Sequence, residues 1–198
     1  MKRKIKGFKD VEVEIRHDLD GIEDEMMELI EATKARRKAD YGDFSEQPRA
    51  YFTEVVKAMG NKAVIVVTRV SGVMASCSLS MIDGDRLVGK YIGMRYPLAT
   101  EHDVYFLNWM TCVRFCLKNK LSWMQVGPSS YRQKVRLGCQ LSRSWVYFKH
   151  TGAIIGPITA TSSGFIPCSD STRLRKRCVD EPGAVTPILR PLRSGQSW

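Results

Sequence analysis

Tyr131 and Lys134 are the residues of this chain whose types and spacing best suit chemistry. Three apart in a short segment that ends at Gly138, they share one face of a helix. A tyrosine hydroxyl can give up a proton, and a lysine can stabilise developing negative charge or bind phosphate. An ordinary amphipathic helix with exposed polar groups explains the same pair. His102 and Asp103 stand where a long apolar segment begins. Either could act as a general base, and an imidazole titrates near neutrality. The alternative is Asp103 as a helix cap beside a surface histidine. Arg95, just before them, is either a positive charge for an anionic group or a solvated loop arginine. Tyr105, early in the apolar segment, is a further candidate whose alternative is core packing. Asn108 and Arg114 lie in the same segment and need partners if buried.

Other chemistries have less support. The six cysteines, at 77, 112, 116, 139, 168 and 178, form no Cys-x-x-Cys pair. Cys112 and Cys116 share a helix face, a spacing unsuited to a disulfide. Buried free thiols in a reducing compartment are the expectation. The three histidines, His17, His102 and His150, do not cluster with cysteines, so no zinc site is expected.

The elements that must position these groups follow from periodicity. Val11 to Ile15 alternates apolar with acidic residues, as a half-buried strand does. Ile22, Met26, Leu29, Ile30 and Thr33 then recur with a helical period. Acid at the start of that helix and Arg36-Arg37-Lys38 at its end complement the helix dipole. A second helix is expected over 47–59, with Pro48 in its first turn. Three strands follow, over 63–70, 73–82 and 86–94, joined by turns at Ser71-Gly72 and Asp83-Gly84-Asp85. The apolar segment 103–118 reads as a buried helix. It leads to a short strand over 122–126, a helix over 130–137 and a strand over 140–149. The result is a mixed α/β single domain. Its central sheet is mostly antiparallel, with one parallel pair formed by strands 86–94 and 122–126, and helices flank it.

Chain-level properties agree with one domain plus a tail. The 198 residues include 43% hydrophobic and 26% charged residues, ordinary for a soluble protein. The domain is expected over residues 1–150. Residues 151–198 form a Pro-, Ser- and Gly-rich basic tail, expected to be loosely packed or disordered, with Ile154-Ile155 and Phe165-Ile166 as pieces that could dock. The net charge of +10 favours an anionic partner such as a CoA pyrophosphate, a nucleic acid or an acidic lipid surface. It is spread along the chain, so each dense basic run also reads as a solvated face. The basic start precedes no apolar run and no stretch could span a membrane, which makes the cytoplasm the expected location.

The element order resembles that of the GNAT acyltransferase superfamily. Within it, residues 85–150 are similar to the second domain of Fem-like proteins, the branch that holds peptidoglycan aminoacyltransferases. Gly84-Asp85, Tyr91-Ile92-Gly93, Tyr105-Phe106 and Tyr147-Phe148-Lys149-His150 carry the likeness. So, above all, does the run Gly127-Pro128-Ser129-Ser130-Tyr131-Arg132-Gln133-Lys134-Val135-Arg136-Leu137-Gly138. Lys2 to Lys6 before Val11 resembles the basic helix that leads into that domain. The likeness implies acyl transfer to an amine, with acyl-CoA or an acyl-phosphopantetheine on a carrier protein as donor, and no metal. It implies catalytic roles for Tyr131, Lys134 and His102, and donor contacts from Arg95, Tyr105, Gly93, Ser129 and Ser130.

The chain departs from that pattern twice. Fem-like ligases carry two such domains, so this chain would be a solitary module, a truncated copy or half of a homodimer. The usual glycine-containing CoA loop is replaced by Gly93-Met94-Arg95-Tyr96-Pro97-Leu98-Ala99-Thr100. Three functions therefore compete. One is an N-acyltransferase acting on a small amine or amino acid. Another is an aminoacyl transferase that uses aminoacyl-tRNA, where the positive charge would be the tRNA footprint. The last is a catalytically silent module that binds nucleic acid.

Overall fold

The computed structural model describes residues 10–37, 47–127, 131–144 and 184–189. They belong to two compact units, one of Met1–Gly127 with Leu189–Trp198 and one of Pro128–Ile188.

In the first unit the strands are β1 (Val11–Arg16), β2 (Ala63–Val70), β3 (Val73–Asp83), β4 (Arg86–Met94) and β5 (Trp123–Gln125), hydrogen-bonded in that order. The first four are antiparallel, β2–β3 and β3–β4 as hairpin connections require, and β4 and β5 are parallel, as expected of a strand–helix–strand crossover. At the turn between β2 and β3, Ser71 and Gly72 both take positive φ (49° and 82°), the twist a two-residue hairpin needs.

Helices α1 (Glu23–Arg37) and α2 (Arg49–Met59) cover one face of the sheet. Glu23, Asp24 and Glu25 fill the first turn of α1, where the helix dipole favours negative charge. Ile22, Met26, Leu29 and Ile30 recur on one side and are buried against Phe52, Val56, Ile65, Val67, Cys77 and Leu79. Strand alternation sends the neighbouring residues Ser76, Ser78 and Ser80 to the opposite face. There lies α4 (Val104–Lys118), whose Asn108 gives its amide to the Ser78 hydroxyl at 2.8 Å. Asn108 is thus buried with a partner, while Arg114 is exposed.

The apolar segment forms one helix, α4, as expected over 103–118. A single turn, α3 (Leu98–Glu101), precedes it, and Asp103 adopts the left-handed conformation at φ 50°, ψ 32° before α4 starts. Aspartate is among the few side chains that tolerate this geometry. It sets the cap position by its backbone, whose carbonyl accepts from Phe106 and Leu107, and makes no side-chain capping bond to α4.

In the second unit, α5 (Tyr131–Arg136) ends where Gly138 takes φ 90°, and the Cys139 amide then bonds the Lys134 carbonyl at 3.0 Å. Strand β6 (Gln140–Ser144) pairs antiparallel with β7 (Ala184–Leu189), from Gln140↔Ile188 to Ser144↔Ala184. Sequence analysis assigned no element to 184–189. Ile154-Ile155 and Phe165-Ile166 lie outside the described residues.

Candidate functional site

The feature that could receive a substrate is the half of β4 that outruns β5. Strand β4 is nine residues long, yet its ladder to β5 consists of Arg86↔Trp123, Leu87↔Met124 and Val88↔Gln125. Where that ladder stops, β4 also bulges. Gly89 opposes Ser80 and Tyr91 opposes Leu79, so Lys90 is the extra residue. A bulge re-aims the backbone of the residue it inserts. Gly89 makes the last close approach possible, since a Cβ there would stand 3.2 Å from the Gln125 carbonyl oxygen. Beyond it, Tyr91, Ile92 and Gly93 pair with β3. On their other side no strand bonds them among the described residues. The Arg95 amide bonds the Ala75 carbonyl. By antiparallel alternation Gly93 and Tyr91 therefore direct their backbone groups to β3, and Ile92 and Met94 direct theirs to the open side. The Met94 N–H is taken by the Thr33 hydroxyl at 2.8 Å.

Helix α1 grips the segment that follows. A Cβ on Gly93 would lie 2.6 Å from Ile30 N, Leu29 C and Leu29 Cβ, so the helix backbone rests directly on this glycine. Arg95 donates to Glu28 at 3.0 and 3.4 Å and to the Met74 carbonyl at 3.2 Å, and its guanidinium is 3.7 Å from Glu25. Arg36 stacks over the Tyr96 ring at 4.2 Å. Residues 93–96, where the resemblance would place donor contacts, are thus each held from α1. An incoming phosphate would have to compete with two carboxylates for Arg95.

The remaining site candidates are distributed as follows. His102 is half-buried at the end of α3, its amide bonded to the Leu98 carbonyl at 3.2 Å. Tyr105 packs at the margin of the cluster formed by Val70, Ala75, Met94, Ala99 and Val104. Both lie in the first unit with Gly93 and Arg95. Tyr131 and Lys134 lie in the second, on one face of α5, the tyrosine half-buried and the lysine 3% exposed. Lys134 acts on its surroundings, because its positive charge works to lower the pKa of the Cys139 thiol. Burial outweighs that effect and pushes the thiol up to about 11. Ser129 and Ser130 lie outside the described residues.

Several features went unread in the sequence. The bulge at Lys90 had one local signal, a glycine inside a strand. The Thr33–Met94 bond and the Arg95 ion pairs had none. On the α2 face, Tyr91 meets Phe52 edge-on with centroids 4.8 Å apart. Burial, the nearby Tyr51 and a hydrogen bond with its side chain push the Tyr91 phenol up to about 12. Cys77, Cys112, Cys116 and Cys139 are free and buried, and burial pushes the first three up to about 12. Such thiols are poor nucleophiles. Cys168 and Cys178 lie outside the described residues. Among the described residues no group of three His, Cys, Asp or Glu side chains is placed to hold a metal, and no helix is long and apolar enough to cross a membrane.

Solved structures share this architecture. N-acetylglutamate synthase from Neisseria gonorrhoeae, complexed with coenzyme A and N-acetyl-glutamate, superposes with a TM-score of 0.55 at 11% identity over 92% of this chain. The match spans only 36% of that protein's length. PaiA N-acetyltransferase from Thermoplasma acidophilum, in complex with coenzyme A, gives a TM-score of 0.53 at 8% identity over 67% of this chain and 92% of its own. A GNAT-family acetyltransferase from Staphylococcus aureus Mu50 gives 0.52 at 10% identity, over 67% and 87%. At these identities the likeness is one of fold. No protein among the curated sequences matches the chain. The acetyltransferase (GNAT) domain family matches residues 1–135, and the chain belongs to that family.

Proposed function

We propose that the chain is an N-acyltransferase that moves an acyl group from a phosphopantetheine thioester, on CoA or on a carrier protein, to an amine such as an amino acid. The observation that carries this reading is the coincidence of the Lys90 bulge with the end of the β4–β5 ladder at Val88↔Gln125. A pantetheine arm carries two amides and can lie along the open side of β4 as a strand would, bonding to Ile92 backbone groups. The coenzyme A complexes of two fold relatives support a CoA donor.

In this reading the amine must arrive neutral. His102 accepts its proton, directly or through water, and the amine nitrogen then attacks the thioester carbonyl. The tetrahedral oxyanion needs backbone donors, which a re-aimed amide at the bulge would supply. Collapse breaks the C–S bond. The departing thiolate takes a proton, a role that the Fem-like resemblance assigns to the Tyr131 hydroxyl, with Lys134 stabilising the negative charge that develops. The attacking nitrogen gives its second proton to solvent, which restores the proton donor, and the products are an amide and a free thiol. Arg95, Tyr105, Gly93, Ser129 and Ser130 complete the donor side. Buried reduced thiols suit a cytoplasmic location.

A second reading has its own support. The carboxylates on Arg95 and the replacement of the CoA loop by Met94 to Thr100 leave a poor cradle for a pyrophosphate. An aminoacyl-tRNA donor, as in the Fem-like branch, would not need one, and the net charge of +10 would serve it. Calorimetric titration with acetyl-CoA and with tRNA at two salt concentrations decides between them. Saturable, weakly salt-dependent acetyl-CoA binding without tRNA binding supports the first reading. Binding of tRNA alone, weakening steeply with salt, overturns it.

A further inference from the structure

Beneath α4, the sheet presents a polar seam where a core would ordinarily be apolar. Ser76, Ser78 and Ser80 follow one another on β3, and Thr68 on β2 stands directly opposite Ser76. All four are buried, Thr68 and Ser76 completely so. The Ser78 hydroxyl is satisfied by Asn108 at 2.8 Å, and Asn108 Oδ1 in turn faces the Cys112 thiol at 3.9 Å. The Thr68 and Ser76 hydroxyls have no hydrogen-bond partner. Native proteins rarely bury such groups unsatisfied.

We propose that a single water molecule is an integral part of this fold, bound between Thr68 and Ser76 and bridging their hydroxyls. Residues opposite one another on paired strands hold their Cβ atoms about 4.5–5.5 Å apart. Hydroxyls on such a pair that do not bond each other leave a span that one water closes. Both side chains are fully buried, so the water is shielded from bulk solvent. The water needs further partners, and the same face offers them. Asn108 Oδ1 accepts only a weak thiol bond and Asn108 keeps a second amide hydrogen, with its partner Ser78 two residues from Ser76. The site selects water over any larger ligand, because it is fully enclosed. It ties β2 to β3 in the cross-strand row Val13–Thr68–Ser76–Met94, which ends on β4 beyond its ladder to β5.

The sign of a stability change tests this. Thr68→Val, Ser76→Ala and the double variant are compared with the native chain by thermal unfolding. With a bridging water, each single change strips the water of a partner and lowers Tm by roughly 2–4 °C. The double change releases the water into bulk and lowers Tm by no more than the larger single change. If the hydroxyls are unsatisfied, removing either raises Tm and the two effects add, which overturns the proposal. Additive losses also overturn it, since they indicate two separate bonds to protein. A high-resolution crystal structure of the native chain provides the second measurement, independent of whether the variants fold. A density peak within hydrogen-bond distance of both hydroxyls is expected, and an empty space between them refutes the assignment.

Discussion

Met94 donates its backbone N–H to the Thr33 hydroxyl at 2.8 Å, a buried bond between residues 61 apart in the chain. It occupies the amide of β4 that would otherwise face the open side. Thr33→Val keeps the shape and removes the acceptor, leaving that N–H unsatisfied. A loss of about 1–3 kcal/mol is expected. Thr33→Ser should recover most of it. Urea unfolding of both variants measures this, and equal stability of the valine variant and the native chain would remove the bond from any structural role.

Gly93 meets the same helix by contact of backbone with backbone. Gly93→Ala places a methyl 2.6 Å from Leu29 and Ile30 atoms that cannot swing aside. The helix must shift, at a cost of about 1–3 kcal/mol or more. Gly84→Ala provides a comparison with a different origin, a positive φ of 57° with open space around the added carbon. A crystal structure of Gly93→Ala with α1 unmoved would contradict the packing described here.

The buried thiols should be protected in the folded chain. For Cys77 and Cys112, raised by burial to about 12, the thiolate at pH 8 is about 10³-fold scarcer than for a thiol of ordinary pKa. Labelling with a chromogenic disulfide, mapped by peptide mass, should find both unmodified until the chain is denatured. The linkage sign follows. The folded state holds these protons up to about pH 12, whereas the unfolded state releases them near the ordinary thiol value of 9.0. Between those limits the folded state binds more protons, so stability falls as pH rises through that window. A chain that grows more stable from pH 9 to 11 would be incompatible with buried thiols.

Turnover tests the proposed proton donor. Tyr131→Phe should lower kcat by about 10²–10⁴ with little change in KM for the acyl donor. The loss should shrink for donors whose leaving group is already a weak base. His102→Gln should lower kcat and leave donor affinity intact. Unchanged kcat in Tyr131→Phe would reassign the proton to another group.

Much of the scaffold could be read from residue spacing. Ile22, Met26, Leu29, Ile30 and Thr33 all prove buried on one side of α1. The turn at Ser71-Gly72 and the parallel pairing of β4 with β5 came from local rules of the same kind. Where geometry depends on residues distant in the chain, the sequence was silent. Arg95 read as a choice between phosphate ligand and solvated arginine, because nothing near it announces Glu25 and Glu28 on α1. Gly93 read as a donor contact because a glycine that admits a ligand and one that admits a helix look alike. The left-handed backbone of Asp103, just before α4, carries no periodic signature. The candidate site was the least legible part. An opening between strands 86–94 and 122–126 follows from the GNAT resemblance and not from the residues, because a missing partner leaves no pattern in the strand that lacks it.

The open half of β4 also has a meaning for the behaviour of the chain in solution. Past Val88 the strand has the character of a sheet edge, though it lies inside the sheet among the described residues. Such an edge cannot distinguish a pantetheine arm from an extended peptide, because both offer amides at similar intervals. The ligand-free chain is therefore open to strand addition by a neighbouring molecule at high concentration. A bound donor would protect it, acting as a solubilising plug as well as a substrate.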